Sequence, residues 1–253
     1  MHRPALSVTV LMIVLATLPG CDSVTSPAAE RDAPILPVHP ARDRQVDAEA
    51  CALGRDDFTL ASTNEWLPID VGSEWSYRGE EHGVPLELRI TVLDETAVVG
   101  GVVVRVVEEH EREDAATVEV SRNFVAATDE GAVCYLGEDV DIYEDGEIVS
   151  HDGAWRADEP GNAPGILMPA DPRPGMAFPM ERAPGIAEDE GRIVGSGPVR
   201  TSAGTFTETL RVRESNPLDG DVGFKVYAKG VGLVIDGPVS LVSWRIGSAA
   251  SRR

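Results

Sequence analysis

The feature that most constrains this chain is an alternation of apolar and polar residues with period two, which begins near Phe58 and recurs almost to the end. Leu86, Leu88, Ile90 and Val92 alternate with Glu87, Arg89 and Thr91. In an extended chain such residues fall on opposite faces, so one face can be buried and the other solvated. Gly100-Gly101 separates this segment from the run 102–107 and predicts a hairpin. Val118, Val120 and Phe124 alternate with Glu119, Ser121 and Asn123, which predicts a further strand with its apolar residues inward. Turn signals at Asp129-Glu130-Gly131 and Asp145-Gly146 set off three more short runs. Phe206, Leu210 and Val212 share one face of a later strand, with Glu208 as the exception on it.

Helical periodicity is nearly absent. The pattern therefore predicts an all-β fold: a single antiparallel domain over 56–247, built as a β-sandwich or a strongly curved open sheet. Between Trp155 and Pro184 the alternation lapses into a Pro/Gly-rich stretch that is too long for an ordinary connection. It is expected to pack over one face of the sheet, either as a functional loop or as a crossover.

Charge removes several functions. With 22 Lys and Arg against 43 Asp and Glu, the net charge is −21. Such a surface repels phosphate backbones, so nucleic acid is an unsuitable partner. An anionic bilayer would likewise find no basic patch to hold. A large negative charge also suggests disorder, but 42% hydrophobic content and four Trp are enough to build a core.

The amino-terminal segment predicts export. His2 and Arg3 precede a largely apolar stretch over 6–18, too short to span a bilayer comfortably and broken by Pro19-Gly20. Residues 1–20 read as a signal peptide. Leu18-Pro19-Gly20-Cys21 resembles the lipobox of bacterial lipoproteins. The resemblance implies an acylated Cys21, a lipid bilayer as partner, and a membrane-anchored protein facing the periplasm or the cell exterior. Residues 21–55 are Pro/Ala-rich and read as a flexible tether, with one short helix over 43–52, and residues 248–253 form a short tail. Setting Cys21 aside leaves Cys51 and Cys134, which either pair in an oxidising compartment or remain buried thiols.

Several ordered motifs have a familiar look. Trp66-Leu67-Pro68-Ile69-Asp70-Val71-Gly72-Ser73-Glu74-Trp75-Ser76-Tyr77 resembles the opening strand of an uncharacterised family of bacterial lipoproteins. Cys134-Tyr135-Leu136-Gly137-Glu138-Asp139 is similar to their central motif, as are Gly153-Ala154-Trp155 and Pro164-Gly165-Ile166-Leu167-Met168-Pro169-Ala170. Ser202-Ala203-Gly204-Thr205-Phe206 and Tyr227-Ala228-Lys229-Gly230-Val231-Gly232-Leu233-Val234 look like the closing hairpin of TapB-like secreted β domains. The resemblance implies an exported β domain and no particular activity.

Two candidate sites stand out. The segment 129–147 holds eight carboxylates and no Lys or Arg, so Asp139, Asp141 and Asp145 are candidate ligands for calcium, a hard cation that takes oxygen donors. Glu138, Glu181, Glu188 and Asp189 flank the Pro-rich segment and could converge with Trp155 in one cleft, where paired carboxylates would suit hydrolysis. By contrast, Glu108-Glu109-His110-Glu111-Arg112-Glu113-Asp114 reads as a solvated charge run. No coherent catalytic set is visible, and no cofactor other than calcium is suggested. The expected function is thus a non-catalytic ligand- or partner-binding module of the cell envelope. A calcium-binding module and a carboxylate-dependent hydrolase are the alternatives.

Overall fold

The computed structural model of the protein describes residues 44–247. The expected signal peptide, Cys21, the tether up to residue 43 and the tail at 248–253 lie outside the described residues.

In chain order the first strands are β1 (Arg44–Gln45), β2 (Phe58–Thr59), β3 (Glu74–Glu81) and β4 (Val84–Val99). The long central strands follow as β5 (Val102–Glu113), β6 (Ala116–Thr128) and β7 (Val133–Glu144). Short strands come next: β8 (Glu147–Ser150), β9 (Trp155–Arg156), β10 (Gly165–Met168) and β11 (Met176–Pro179). The carboxy-terminal half supplies β12 (Glu190–Ser196), β13 (Val199–Thr201), β14 (Gly204–Phe206) and β15 (Thr209–Ser215). It ends with β16 (Val222–Ala228), β17 (Gly232–Asp236) and β18 (Val239–Arg245).

Sixteen of these strands form one large sheet, and β13 and β14 pair separately as a two-stranded ribbon. The main path runs β1-β11-β12-β15-β16-β17-β18-β3-β4-β5-β6-β7-β10, with β2 on β6 and with β8 and β9 on β7. Pairing is antiparallel except between β1 and β11, so the sheet is mixed and open rather than a closed barrel. The all-β expectation and the curved-sheet alternative both describe it.

Curvature comes from the ladder itself. Register shifts interrupt β4 against β5 after Val92, β6 against β7 after Asn123, and β12 against β15 after Ile193. An extra residue on one strand bends it and increases its twist. As a result β3–β7 face β15–β17 across a common interior. The Trp75 indole donates to the Val231 carbonyl at 2.7 Å, and the Tyr77 hydroxyl to that of Leu233 at 3.0 Å.

The Pro-rich segment carries the chain from one edge of the sheet to the other. Its β10 pairs with β7 and its β11 with β12. The two edges meet where Gly165 packs on the backbone of Met180, so closely that a Cβ at 165 would lie 1.8 Å from the Met180 carbonyl oxygen. Nearby, the Ala163 amide donates to the Arg182 carbonyl at 2.9 Å.

Residues 44–55 belong to this folded body and not to the tether. β1 pairs with β11, Asp47 caps a single 3-10 turn over Ala48–Cys51, and Cys51 is fully buried. Cys51 and Cys134 form a disulfide with a Cα separation of 5.6 Å, closing a loop of 83 residues. A covalent link of that span fixes the segment to the start of β7.

Candidate functional site

The site follows from register. Residues directly opposite each other on paired strands share a face, so the inner face of β4 selects the inner face of each strand beyond it. Leu88 sits opposite Glu111, which sits opposite Glu119. Ile90 leads in the same way to Glu109 and Ser121, and Val92 to Val107, Asn123 and then Glu138. The inner face therefore changes from aliphatic on β4 to acidic on β5–β7 within three strands.

Two expectations are corrected here. The charge run at 108–114 is not solvated throughout: residues 108–113 end β5, where Glu111 is buried and Glu109 faces the interior cavity. On β6 the faces are reversed, with Glu119, Ser121 and Asn123 buried and Val118 and Val120 only half-buried on the outside. Pairing with β5 and β7 decides the face, and alternation alone leaves the two choices open. Phe124 is buried, with the Arg156 guanidinium over its ring at 4.1 Å.

The opposite wall is polar as well. β15 and β16 present Val212, Glu214, Lys225 and Tyr227 inward, and Asp236 of β17 lies opposite Lys225. Lys225 Nζ is 3.2 Å from Glu214 Oε2 and 3.8 Å from Asp236 Oδ2. The segment around β11 adds Glu181 and Asp189. Between the walls is a cavity of about 90 Å³, lined on one side by Trp75, Tyr77, Ile90 and Val92 and on the other by Glu181, Asp189, Glu214 and Lys225. Leu67 and Leu167, both half-buried, also line it.

Among the described residues these carboxylates are under-satisfied. Neither oxygen of Glu181 has a hydrogen-bond partner, nor has one oxygen each of Glu119, Glu138, Asp189 and Glu214. An ionised carboxylate without partners in such surroundings is expensive, and the group responds by keeping its proton. Burial raises Glu109 to about 7, partly offset by Lys225. Burial, reinforced by Glu109, raises Glu111 to about 8. Glu119 is pushed to about 9 by burial and by Glu111 and Glu138. Glu138 reaches about 8 through burial, with the neighbouring Tyr135 hydroxyl acting to lower it. Glu181 stands well above the ordinary range because of burial and the charges of Glu138 and Asp189. Burial likewise brings Asp189 to about 6 and Glu214 to about 7, with Lys225 opposing both. Burial acts to lower Lys225, but Asp236 and Glu214 outweigh it and hold the ammonium charged.

Of the expected cleft, the structure brings together Glu138, Glu181 and Asp189, each close enough to feel another's charge. Glu188 stays outside the cavity, half-exposed, and accepts a hydrogen bond from the Gly185 amide. Trp155 is buried against Tyr135, edge to face, with ring centroids 5.3 Å apart. It is Tyr135, not Trp155, that lines the cavity. Gly137 permits this layering: its φ of +132° and the approach of Trp155 leave no room for a side chain.

The acidic hairpin lies elsewhere. Asp139 pairs with Arg156 at 2.6 Å, and Asp141 is held between Arg122 at 3.7 Å and His151 at 2.9 Å. Asp145 occupies the turn between β7 and β8, with φ +52°. Among the described residues no group of three or more His, Cys, Asp or Glu is placed to hold a metal ion.

Sequence reasoning missed Glu109, Glu111, Glu119, Glu214, Asp236 and Lys225. The signal available for the first three was their even spacing along strands of known register, which requires knowledge of the pairing. No protein-family model, curated protein or solved structure matches the chain.

Proposed function

We propose that this protein is an exported, lipid-anchored envelope module that binds a small molecule, without catalysis, inside its curved sheet. The observation that supports the reading best is the cavity, with one apolar, aromatic wall and one wall of buried carboxylates whose oxygens lack partners. Concave, mostly apolar sites with a few placed polar groups are the usual form of small-molecule sites. The Cys21 motif supplies the anchor, and palmitate labelling that disappears in Cys21→Ala tests it.

Occupancy is tested with xenon, a neutral apolar probe small enough for the cavity, by NMR. The wild type shifts the xenon resonance saturably, and Val107→Trp, which fills the cavity while keeping the same melting transition, abolishes the shift. Equal shifts with both proteins, or none with the wild type, contradict the reading.

The convergence of Glu138, Glu181 and Asp189 favours a second reading, a carboxylate-dependent hydrolase. Neighbouring acids with different proton affinities, about 8 for Glu138 and about 6 for Asp189, are the arrangement that acid and base roles need. This reading requires turnover of aryl glycosides that Glu138→Gln abolishes.

A further inference from the structure

We propose that the molecule bound in this cavity is a small organic cation with an apolar body, an amine or guanidinium whose head lies among Glu181, Asp189 and Glu214. The inference rests on the cavity-binding reading above and specifies its ligand.

The polar wall is an incomplete ion-pair network. Among the described residues one cation, Lys225, lines the cavity against four carboxylates, Glu109, Glu181, Asp189 and Glu214. Lys225 shows how a cationic head is satisfied in this wall, by Glu214 Oε2 and Asp236 Oδ2 together. Its contacts still leave Glu214 Oε1, Asp189 Oδ1 and both oxygens of Glu181 without a partner. Glu181 is only 3% exposed and lines the cavity, so its free acceptors are directed at what the cavity holds rather than at bulk water. Cationic donors complete such acceptors with short, charge-assisted hydrogen bonds.

The facing wall selects for an apolar body. Trp75 and Tyr77 commit their polar atoms to the Val231 and Leu233 carbonyls, so the rings themselves form the cavity surface with Ile90 and Val92. Aromatic ring surface favours an adjoining cation as well as apolar contact. A bare metal ion suits the site poorly. The acids are spread along the wall, and no three of the described ligand-type residues are grouped for one ion as oxygen coordination would need.

An anion or a neutral molecule would leave the carboxyls as protonated acids. A cation instead draws them into the ionised form, so its binding releases protons and strengthens as pH rises. The groups involved on every wall are Glu109, Glu111, Glu119 and Glu138 on β5–β7, and Glu181, Asp189, Glu214, Lys225 and Asp236 opposite.

The test compares n-propylammonium with n-propanol, its neutral counterpart and small enough for the cavity, by calorimetry on the intact protein. The proposal requires n-propylammonium to bind about tenfold or more tightly than n-propanol at pH 8, and the preference to shrink severalfold at pH 5. At pH 7 its heat of binding should vary with the ionisation enthalpy of the buffer, reporting proton release. Glu181→Gln, which keeps the shape and removes one acid, should reduce the preference severalfold. Equal binding of the two probes, or binding of n-propylammonium without proton release, overturns the cation assignment and leaves the cavity reading intact. Failure of n-propylammonium, n-propanol and xenon alike overturns both.

Discussion

The molecule contains two acidic regions of opposite kind. The hairpin 129–147 is dense in acid, with eight carboxylates and no Lys or Arg, yet its outward members are conventionally placed: Asp139 and Asp141 meet arginines, and Asp145 sits in a solvated turn. The interior collects its acids one or two at a time from β5, β6, β7, β15, β17 and the segment around β11, and among the described residues gives them one ammonium. Glu138 belongs to both regions, being part of the dense run in sequence but pointing inward from β7. Density along the chain is thus a poor guide to electrostatic cost. Cost is set by which face a strand turns inward, because solvent screens one face and not the other.

The broadest way to break this comparison is a pH series. Every interior carboxyl described above has a raised proton affinity, so the fold gains stability from their protonated forms. That contribution is complete below the ordinary carboxylate range of about 4 to 4.5 and is lost as pH rises through about 6 for Asp189 and on to about 9 for Glu119. The unliganded protein is expected to be most stable at or below about pH 5 and to lose at least about 5 kcal/mol by pH 9, since several groups share the window and each pKa unit is worth about 1.4 kcal/mol. Urea unfolding at stepped pH checks this; a maximum at pH 7 to 8 would place the acids outside.

Two substitutions sharpen the contrast between inside and outside. Lys225→Met strands Glu214 and Asp236 without their cation and should cost about 3–5 kcal/mol at pH 7. Arg122→Met removes the partner of Glu108 and Asp141 on the outer face and should cost no more than about 1 kcal/mol. Comparable losses in denaturant titrations would erase the distinction between the two regions.

A smaller effect has the opposite sign. Glu119→Gln removes an acid that burial, Glu111 and Glu138 all disfavour in its ionised form. The variant should melt higher than the wild type at pH 9, by about 1–2 kcal/mol, with the advantage vanishing at pH 5. Calcium is expected to do least. With Asp139 and Asp141 taken by Arg156, Arg122 and His151, millimolar calcium should leave the melting temperature unchanged, and a chelator-reversible rise would revive the hairpin as a cation site.

Much of the fold was legible locally. Leu86 to Val92 form the inner face of β4 as alternation predicts, and Gly100-Gly101 and Asp145-Gly146 make their turns. Those signals are short-range: a two-residue period and the left-handed backbone that glycine tolerates. The acidic interior was not legible because facing is settled at a distance. Val118 and Val120 outrank Glu119 and Ser121 on any hydrophobic scale, yet the pairing of Glu119 with Glu111, and of Asn123 with both Val107 and Glu138, turns the polar set inward. The Pro-rich segment was recognisable as unusual, and Glu138, Glu181 and Asp189 were recognisable as a set. Their meeting depends on the contact of Gly165 with Met180, which joins the two edges of the sheet. Trp155 was visible as an aromatic of interest but serves as the layer behind Tyr135.

The most direct measurement is a carbon-13 NMR titration of the glutamate side-chain carboxyls in the unliganded protein, assigned through Glu→Gln variants. The account predicts that Glu111, Glu119 and Glu138 titrate with midpoints near 8, 9 and 8, roughly four units above an ordinary glutamate. Midpoints below about 6 for all three would show them hydrated and charged at neutral pH, and would contradict an interior that keeps its acids protonated.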